Sequence, residues 1–367
     1  METIDVAIVG AGVTGLAIAN AVADQGRTVC VLERHIRPGL ECSTHNSGVI
    51  HAGLYYPADS AKARLCVKGR ELLYSFCETY GVPHARCGKF IVTSTHTGMA
   101  RLLELERRGI SNGVEDLIMV EPDFVYRREP HVHAIAALWS PSTGIVEAES
   151  LVRTLLRLAL AKDVAWLPGT SVQSGVAQRD VVEILTPRET IRARVVVNAA
   201  GLYADQCSKA LGGETFAIYP VRGEYAELVP TKRYLVNGLI YPLPDPTGQS
   251  LGVHLTRTTG GAVTIGPTAR HQTTKDDYER DRLPVNTFYT SCQQILPTLK
   301  PDDLRLGGSG IRAQLSLPGQ PFTDFLIRRD YEVPRLIHAA GIDSPGLTAC
   351  LAIGQVVETL VEEALDG

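Results

Sequence analysis

Gly10-Ala-Gly12-Val-Thr-Gly15 stands between an apolar run, Ile4 to Val9, and a helix-like stretch, Val13 to Gln25. Few sequence features restrict a fold so tightly. The branched residues of the run suit a strand buried on both faces, and Gly26 suits the residue that closes a helix. Thr28 to Leu32 repeats the strand pattern and ends at Glu33, with Arg34 beside it. Strand, glycine turn, helix and strand make one βαβ unit. In such a unit the first glycine permits a tight turn, the second lets backbone approach a pyrophosphate, and the third lets helix and strand touch. The helix start at Val13 and Thr14 offers free N–H groups and a positive dipole end to phosphate. An acid at the position of Glu33 can accept hydrogen bonds from ribose hydroxyls. The expected ligand is a dinucleotide.

The rest of the chain reads as α/β segments interrupted by other material. Apolar residues fall along one side of Ser60 to Tyr80, Asp59 or Ser60 can cap it, and Gly81 and Pro83 stop it, which predicts a helix. Further helices are expected over 100–108, 149–161 and 347–365, and buried strands over 90–93, 191–197 and 336–340. Between Tyr219 and Gly266 short strands alternate with Gly and Pro turns, over 224–229, 239–241, 251–256 and 262–265. That is antiparallel-sheet texture. At 367 residues the chain exceeds one ordinary core. The expected division is a discontinuous nucleotide-binding domain of residues 1–84, 148–216 and 326–367, and a substrate-binding domain of residues 85–147 and 217–325.

Charge and composition exclude other classes. A formal net charge of −4 and the lack of any Lys or Arg run argue against nucleic acid as a partner. The start, Met-Glu-Thr-Ile-Asp, lacks the basic segment of a secretory signal, and glycines break the apolar run that follows. Neither a signal peptide nor an integral membrane span is expected; the expected location is the cytoplasm, with peripheral contact at an inner membrane left open. Eight scattered cysteines form no CxxC pair and read as buried free thiols. His131-Val-His133 lacks an acidic partner at ligand spacing, so no metal is expected.

Two distal segments extend the pattern: Val195-Val-Val-Asn-Ala-Ala-Gly201 after a strand, and Gly341-Ile-Asp-Ser-Pro-Gly-Leu-Thr348 before the last helix. With the first motif they resemble the D-amino acid oxidase-like superfamily of FAD-dependent oxidoreductases, over nearly the whole chain. Within it, Ser43-Thr-His-Asn-Ser-Gly-Val-Ile-His-Ala-Gly-Leu-Tyr-Tyr56 is similar to the signature of L-2-hydroxyglutarate dehydrogenases and oxidases. Leu65-Cys-Val-Lys-Gly69, Cys87-Gly-Lys89, Ile240-Tyr-Pro-Leu-Pro-Asp245, Leu251-Gly-Val-His-Leu-Thr256 and Gly310-Ile-Arg-Ala-Gln314 support it. Glu147-Ala-Glu149 stands where that family tends to place an Asp-Tyr pair.

The resemblance implies a Rossmann-like α/β domain for non-covalent FAD, with an inserted α+β domain carrying a mixed or antiparallel sheet. It implies cofactor contacts from Gly10, Gly12, Val13, Thr14, Gly15, Glu33 and Arg34, from the loop Thr44, His45, Asn46, Ser47 and Gly48, and from Val172, Ala200 and Gly201. Gly310 and Ile311, and the turn Gly341, Ser344, Pro345, Gly346, Leu347 and Thr348, complete that set. The implied reaction is oxidation of a small 2-hydroxy acid, L-2-hydroxyglutarate foremost, by hydride transfer to flavin N5, with oxygen or a quinone as electron acceptor. An amino acid or amine oxidase of the glycine or sarcosine oxidase type is the alternative.

By residue type alone, Arg312 in Gly307-Gly-Ser-Gly-Ile-Arg312 fits either a carboxylate clamp or an ordinary ion pair; the resemblance implies the clamp. Imidazole suits removal of a hydroxyl proton, which makes His51 and His254 the base candidates. Tyr56 and Tyr241 are candidate donors to substrate carboxylates, and Lys89, Arg222 and Arg257 are candidates for a second carboxylate.

Overall fold

Val6, Ala7 and Ile8 are shut away from solvent because their strand, Thr3–Val9, is paired on both sides. Val29–Glu33 and Thr190–Asn198 flank it, both parallel. Alternate residues face opposite sides of the sheet. Val6 and Ile8 join the core beneath the helices Val13–Ala23, Ala148–Leu160 and Gly346–Asp366, while Ala7 and Val9 join a second core with Val182, Ile184 and Leu211. Ala165–Pro168 extends the sheet beyond Val29–Glu33. On the other side Thr190–Asn198 pairs with Leu336–Ala340, which pairs in turn with Leu326–Arg329. Its first half also carries the hairpin formed by Ser174–Ala177 and Val182–Leu185.

The computed structural model describes residues 3–23, 26–244, 252–317, 320 and 322–366. The expected helix end at Gln25, the expected strand start at Leu251, and Asp245 of the motif that begins at Ile240 lie outside these residues. The helix Ala61–Tyr80 is closed as its sequence predicts: Ser60 accepts from the Ala63 N–H, and Gly81 takes the left-handed conformation with φ 67°. It crosses the last helix closely enough that a Cβ on Gly69 would lie 2.5 Å from the Thr348 carbonyl oxygen. That contact ties the last helix's first turn to the site described below.

A second sheet runs in the order Ile118–Val120, Ala136–Ser140, Lys89–Thr93, Leu239–Pro242, His254–Arg257, Val263–Gly266, Tyr219–Leu228, Leu304–Gln314, with the short strand Arg270–His271 also paired to Tyr219–Leu228. Its ladders are antiparallel except between Lys89–Thr93 and Leu239–Pro242, so the sheet is mixed. Gly307 to Arg312, which composition alone leaves unassigned, is the middle of the long strand Leu304–Gln314; three glycines hide its strand character. The helices Pro122–Arg128 and Val285–Cys292 also lack a clear periodic signature. A small third sheet joins Val49–Ile50, Gly144–Val146 and His84–Ala85. All eight cysteines are free, and six are buried.

Candidate active site

The glycine turn opens on a cleft with about 1010 Å³ of empty volume, part of it open to solvent. Gly10, Gly12, Glu33, Ser43, Val172 and Ala200 are among its walls. The three motif glycines have different causes. A Cβ on Gly10 (φ 107°) would lie 2.5 Å from the Ala199 carbonyl oxygen, and one on Gly15 would lie 2.0 Å from that of Gly10. Both are dictated by the fold itself. At Gly12 the added Cβ would meet only the Ser43 hydroxyl, at 2.9 Å on the cleft wall. The bareness of that position serves what enters the cleft, which fits a pyrophosphate.

Glu33 is held at the cleft edge by the N–H groups of Ala11 and His35, each donating at 2.9 Å. Its remaining lone pairs fit ribose hydroxyls. Arg34 lies 3.7 Å from the Tyr203 ring centre and pairs with Glu41, which also accepts from the Tyr278 hydroxyl. Gly201 and Tyr203 line the same cleft, as do Thr170, Ser171 and Gln206. Tyr203 and the last three carry no local motif, and sequence reasoning passed them over. The residues present therefore fit the adenosine diphosphate half of FAD.

A loop joins this cleft to the second sheet. Ser43 Oγ accepts from the Val13 N–H at 2.8 Å, satisfying one donor of the helix start. Thr44 donates to the Gly39 carbonyl, His45 Nδ1 lies 3.0 Å from the Glu41 carbonyl oxygen, and Asn46 donates to the Cys42 carbonyl and accepts from the Gly48 N–H. Ser47 shares a 3.0 Å hydrogen bond with Tyr225. Cys42 donates through sulfur to the Ile311 carbonyl, and a Cβ on Gly310 would lie 2.0 Å from the His45 carbonyl oxygen. The strand carrying Arg312 thus rests directly on the loop.

The turn before the last helix supports His51. Gly341 has φ 64°, Asp343 pairs with Lys62 at 2.7 Å, and the Gly346 N–H donates to the Asp343 carbonyl. Ser344 Oγ lies 3.4 Å from both the Tyr56 hydroxyl and His51 Nε2. After Pro345, Gly346 and Leu347, Thr348 accepts from the His51 N–H at 3.0 Å. His51 Nδ1 is buried with no hydrogen-bond partner.

His254 stacks on Tyr241, and its Nδ1 lies 3.0 Å from Thr256 Oγ1. Lys89 is fully buried, with Nζ 4.5 Å from the Tyr55 ring and 4.6 Å from the Tyr241 ring, and Nζ has no hydrogen-bond partner among the described residues. Arg312 donates to the Thr268 carbonyl at 2.9 Å and is in no ion pair among the described residues. These groups act on one another. Burial, aided by Lys89, pushes His51 down to about 3. Burial, then His51, Lys89 and Arg312, hold His254 well below the usual imidazole range. Burial brings Lys89 down to about 7, with the Cys66 thiol opposing. Among the described residues, no carboxylate is one of the charges acting on these three.

Two expectations, for Arg222 and Arg257, need correction. Arg222 is not free for a substrate: it is fully buried, paired with Glu224 at 3.0 Å, and donates to the Arg280 carbonyl at 2.6 Å. Arg257 donates to the carbonyls of Arg233 and Val236. Tyr56 bonds Ser344, and its neighbour Tyr55 is the tyrosine at Lys89. Glu147 caps the helix Ala148–Leu160 by accepting from Ser150. Glu214, Asp330 and His338 come within ligand distance of one another, but Arg328, His338 and three backbone N–H groups already engage the two carboxylates.

An α/β sheet with a glycine-turn cleft, joined through one loop to a second sheet that carries buried basic side chains, is the arrangement of a flavin-type oxidoreductase. Residues 5–360 match the family of FAD-dependent oxidoreductases known as DAO, and the chain belongs to it. The mitochondrial L-2-hydroxyglutarate dehydrogenase of Arabidopsis thaliana is 35% identical over 96% of this chain and 82% of its own length. The L-2-hydroxyglutarate dehydrogenase of Escherichia coli (strain K12) is 30% identical, over 98% of this chain and 94% of its own length. Dithionite-reduced L-α-glycerophosphate oxidase from Mycoplasma pneumoniae, solved with FAD bound, superposes with a TM-score of 0.89 at 26% identity, covering 99% of this chain and 95% of that one. Glycine oxidase from Geobacillus kaustophilus shares the fold, with a TM-score of 0.84 at 22% identity over 99% and 95%. Among the described residues no helix is long and apolar enough to cross a membrane.

Proposed function

We propose that this FAD-dependent oxidoreductase oxidises a small 2-hydroxy acid, L-2-hydroxyglutarate foremost, to the 2-oxo acid. One observation carries the reading: among the described residues neither Arg312 nor Lys89, which faces the Tyr241 ring on which His254 stacks, is paired with a carboxylate. At neutral pH an amino acid arrives as an ammonium, which two cations oppose; a hydroxyl brings no charge. The names of the 30–35% identical relatives support the same substrate. An amine-oxidising enzyme, as the shared fold of glycine oxidase would allow, is the second reading.

Bound FAD supplies the two-electron acceptor. The chain supplies the geometry and the proton's destination. Arg312 grips the α-carboxylate, because a guanidinium stays charged and presents a planar fork. His51 or His254, kept unprotonated by burial, takes the hydroxyl proton; the substrate's negative charge raises the imidazole's affinity for it as it arrives. Ser344 and Thr348 position His51, and Tyr241 and Thr256 position His254. In this scheme residues 85–147 and 217–325 form the substrate side, while 1–84, 148–216 and 326–367 hold the cofactor non-covalently and lend His51. We assign reoxidation to oxygen or a quinone, and the location to the cytoplasm.

The test compares L-2-hydroxyglutarate with L-glutamate, its amino counterpart, using an artificial electron acceptor. The hydroxy acid is expected to lead in kcat/KM by roughly 10²-fold or more. The reverse order would assign the enzyme to amine oxidation.

A further inference from the structure

Lys89 lacks what a buried ammonium ordinarily requires. Its Nζ faces two aromatic rings, and those contacts offset part of a charge but accept none of three N–H bonds. The Tyr55 hydroxyl, on the ring that Lys89 faces, is also buried and unpartnered. Two polar groups thus share one small region, and neither has a hydrogen-bond partner among the described residues. Neither side chain is held there by a polar partner of its own.

Strand pairing fixes this region relative to the histidines. Lys89–Thr93 runs parallel to Leu239–Pro242, with Phe90 opposite Ile240 and Ile91 opposite Tyr241. The Tyr241 ring that Lys89 faces is also the ring on which His254 stacks. Lys89 therefore stands one aromatic ring away from a base candidate. The other basic candidates are spent: Arg222 on Glu224, and Arg257 on backbone carbonyls. On the reading that Arg312 holds the α-carboxylate of a 2-hydroxy acid, a second, separate cation remains.

Resting on that reading, we propose that Lys89, with Tyr55, binds the distal carboxylate of the substrate and makes the pocket selective for dicarboxylic over monocarboxylic 2-hydroxy acids of the same length. The carboxylate's two oxygens accept from the ammonium and from the phenol, so both orphan donors are satisfied only when such a ligand is bound. An ammonium with no fixed partner is also tuned for a ligand that comes and goes, since no internal carboxylate competes with it.

The test uses unreactive ligands on the FAD-loaded enzyme: glutarate against pentanoate, with binding read from perturbation of the flavin absorbance. Wild type is expected to bind glutarate roughly tenfold or more tighter. In Lys89→Met that ratio is expected to fall to about one, with Lys89→Arg recovering part of it and Tyr55→Phe losing less. Lys89→Gln serves where Lys89→Met does not fold. No preference in wild type, or a preference that survives in the uncharged variants, overturns the proposal. Flavin reduction by 2-hydroxy acids is read separately. Reduction with a ratio that survives Lys89→Met would remove this site and leave the oxidation reading. A Lys89-dependent ratio without reduction would do the opposite.

Discussion

The ring of Tyr241 lies flat on the imidazole of His254, with centroids 3.8 Å apart and 8° between the planes. His51 is held differently, at its edge by Ser344 and through its backbone by Thr348. The two histidines should therefore fail differently. Replacing the residue that takes the proton is expected to lower kcat by roughly 10²–10⁴, whereas replacing a positioning residue mainly raises KM. Steady-state kinetics of His51→Ala and His254→Ala separate the roles. If both variants keep kcat within about threefold, the proton acceptor is not an imidazole.

Gly12 and Gly15 should also separate. Gly15→Val forces a side chain into the Gly10 carbonyl and is expected to destabilise the apoprotein. At Gly12 the Cβ of a valine would meet only the Ser43 hydroxyl, so Gly12→Val should fold and yet emerge colourless, because its side chain fills the cleft. The ratio of flavin to protein absorbance and the Tm of each apoprotein check this. A yellow Gly12→Val would remove the pyrophosphate from that turn.

Arg312 and Arg222 make a matched contrast. Arg312 has one backbone hydrogen bond and no ion pair among the described residues, so Arg312→Ala should change stability by less than about 1 kcal/mol while lowering kcat/KM by roughly 10²-fold or more. Arg222→Ala empties a fully buried site and removes one of the two close ion-pair partners of Glu224, Arg282 remaining at 2.9 Å, and is expected to cost about 2–4 kcal/mol. Urea titrations beside kinetics measure both. A stability loss for Arg312→Ala equal to that of Arg222→Ala would make Arg312 structural.

Lys89 sets a pH dependence. The groups around it are silent in the neutral range: burial pushes Cys66 up to about 12 and the phenols of Tyr55 and Tyr241 up, and it holds His51 and His254 down. With Lys89 at about 7, the free enzyme loses this ammonium as pH rises above neutrality. A ligand that binds the ammonium must then take up a proton. Glutarate affinity is expected to fall by up to about tenfold per pH unit above pH 7, while pentanoate affinity should not follow. Isothermal titration in buffers of different ionisation enthalpy reads the proton directly; no uptake near pH 8 (about one unit above that pKa) would contradict it.

The same shift bears on stability. Between pH 7 and 10.5 the unfolded chain holds the Lys89 proton and the folded chain does not, so this residue makes stability rise with pH across that window. Below it both states are protonated and the burial cost is constant. Lys89→Met is therefore expected to stabilise the protein at neutral pH by about 1–3 kcal/mol, read as a raised urea midpoint. A destabilised variant would mean that Lys89 has a structural partner.

The nucleotide half of the molecule was legible because its signals are local. A strand, three glycines and Glu33 lie within thirty-odd residues, and each side chain's duty follows from its neighbours. The substrate half depends on pairings between distant segments. Lys89 is buried because Leu239–Pro242 runs beside it, and nothing near it in sequence marks it as unpartnered. Arg222 could have been read correctly: Glu224 stands two residues along the same strand, on the same face, which is where an ion pair forms. Tyr55 and Tyr56 are adjacent in a loop, where no periodicity tells which one faces Lys89.

The most direct test is an anaerobic titration of the yellow holoenzyme. Stoichiometric L-2-hydroxyglutarate is expected to bleach the flavin band at about 450 nm and to leave one 2-oxoglutarate per flavin, while L-glutamate leaves the spectrum unchanged. Bleaching by L-glutamate or another amino acid, with none by any 2-hydroxy acid, would contradict the proposed function.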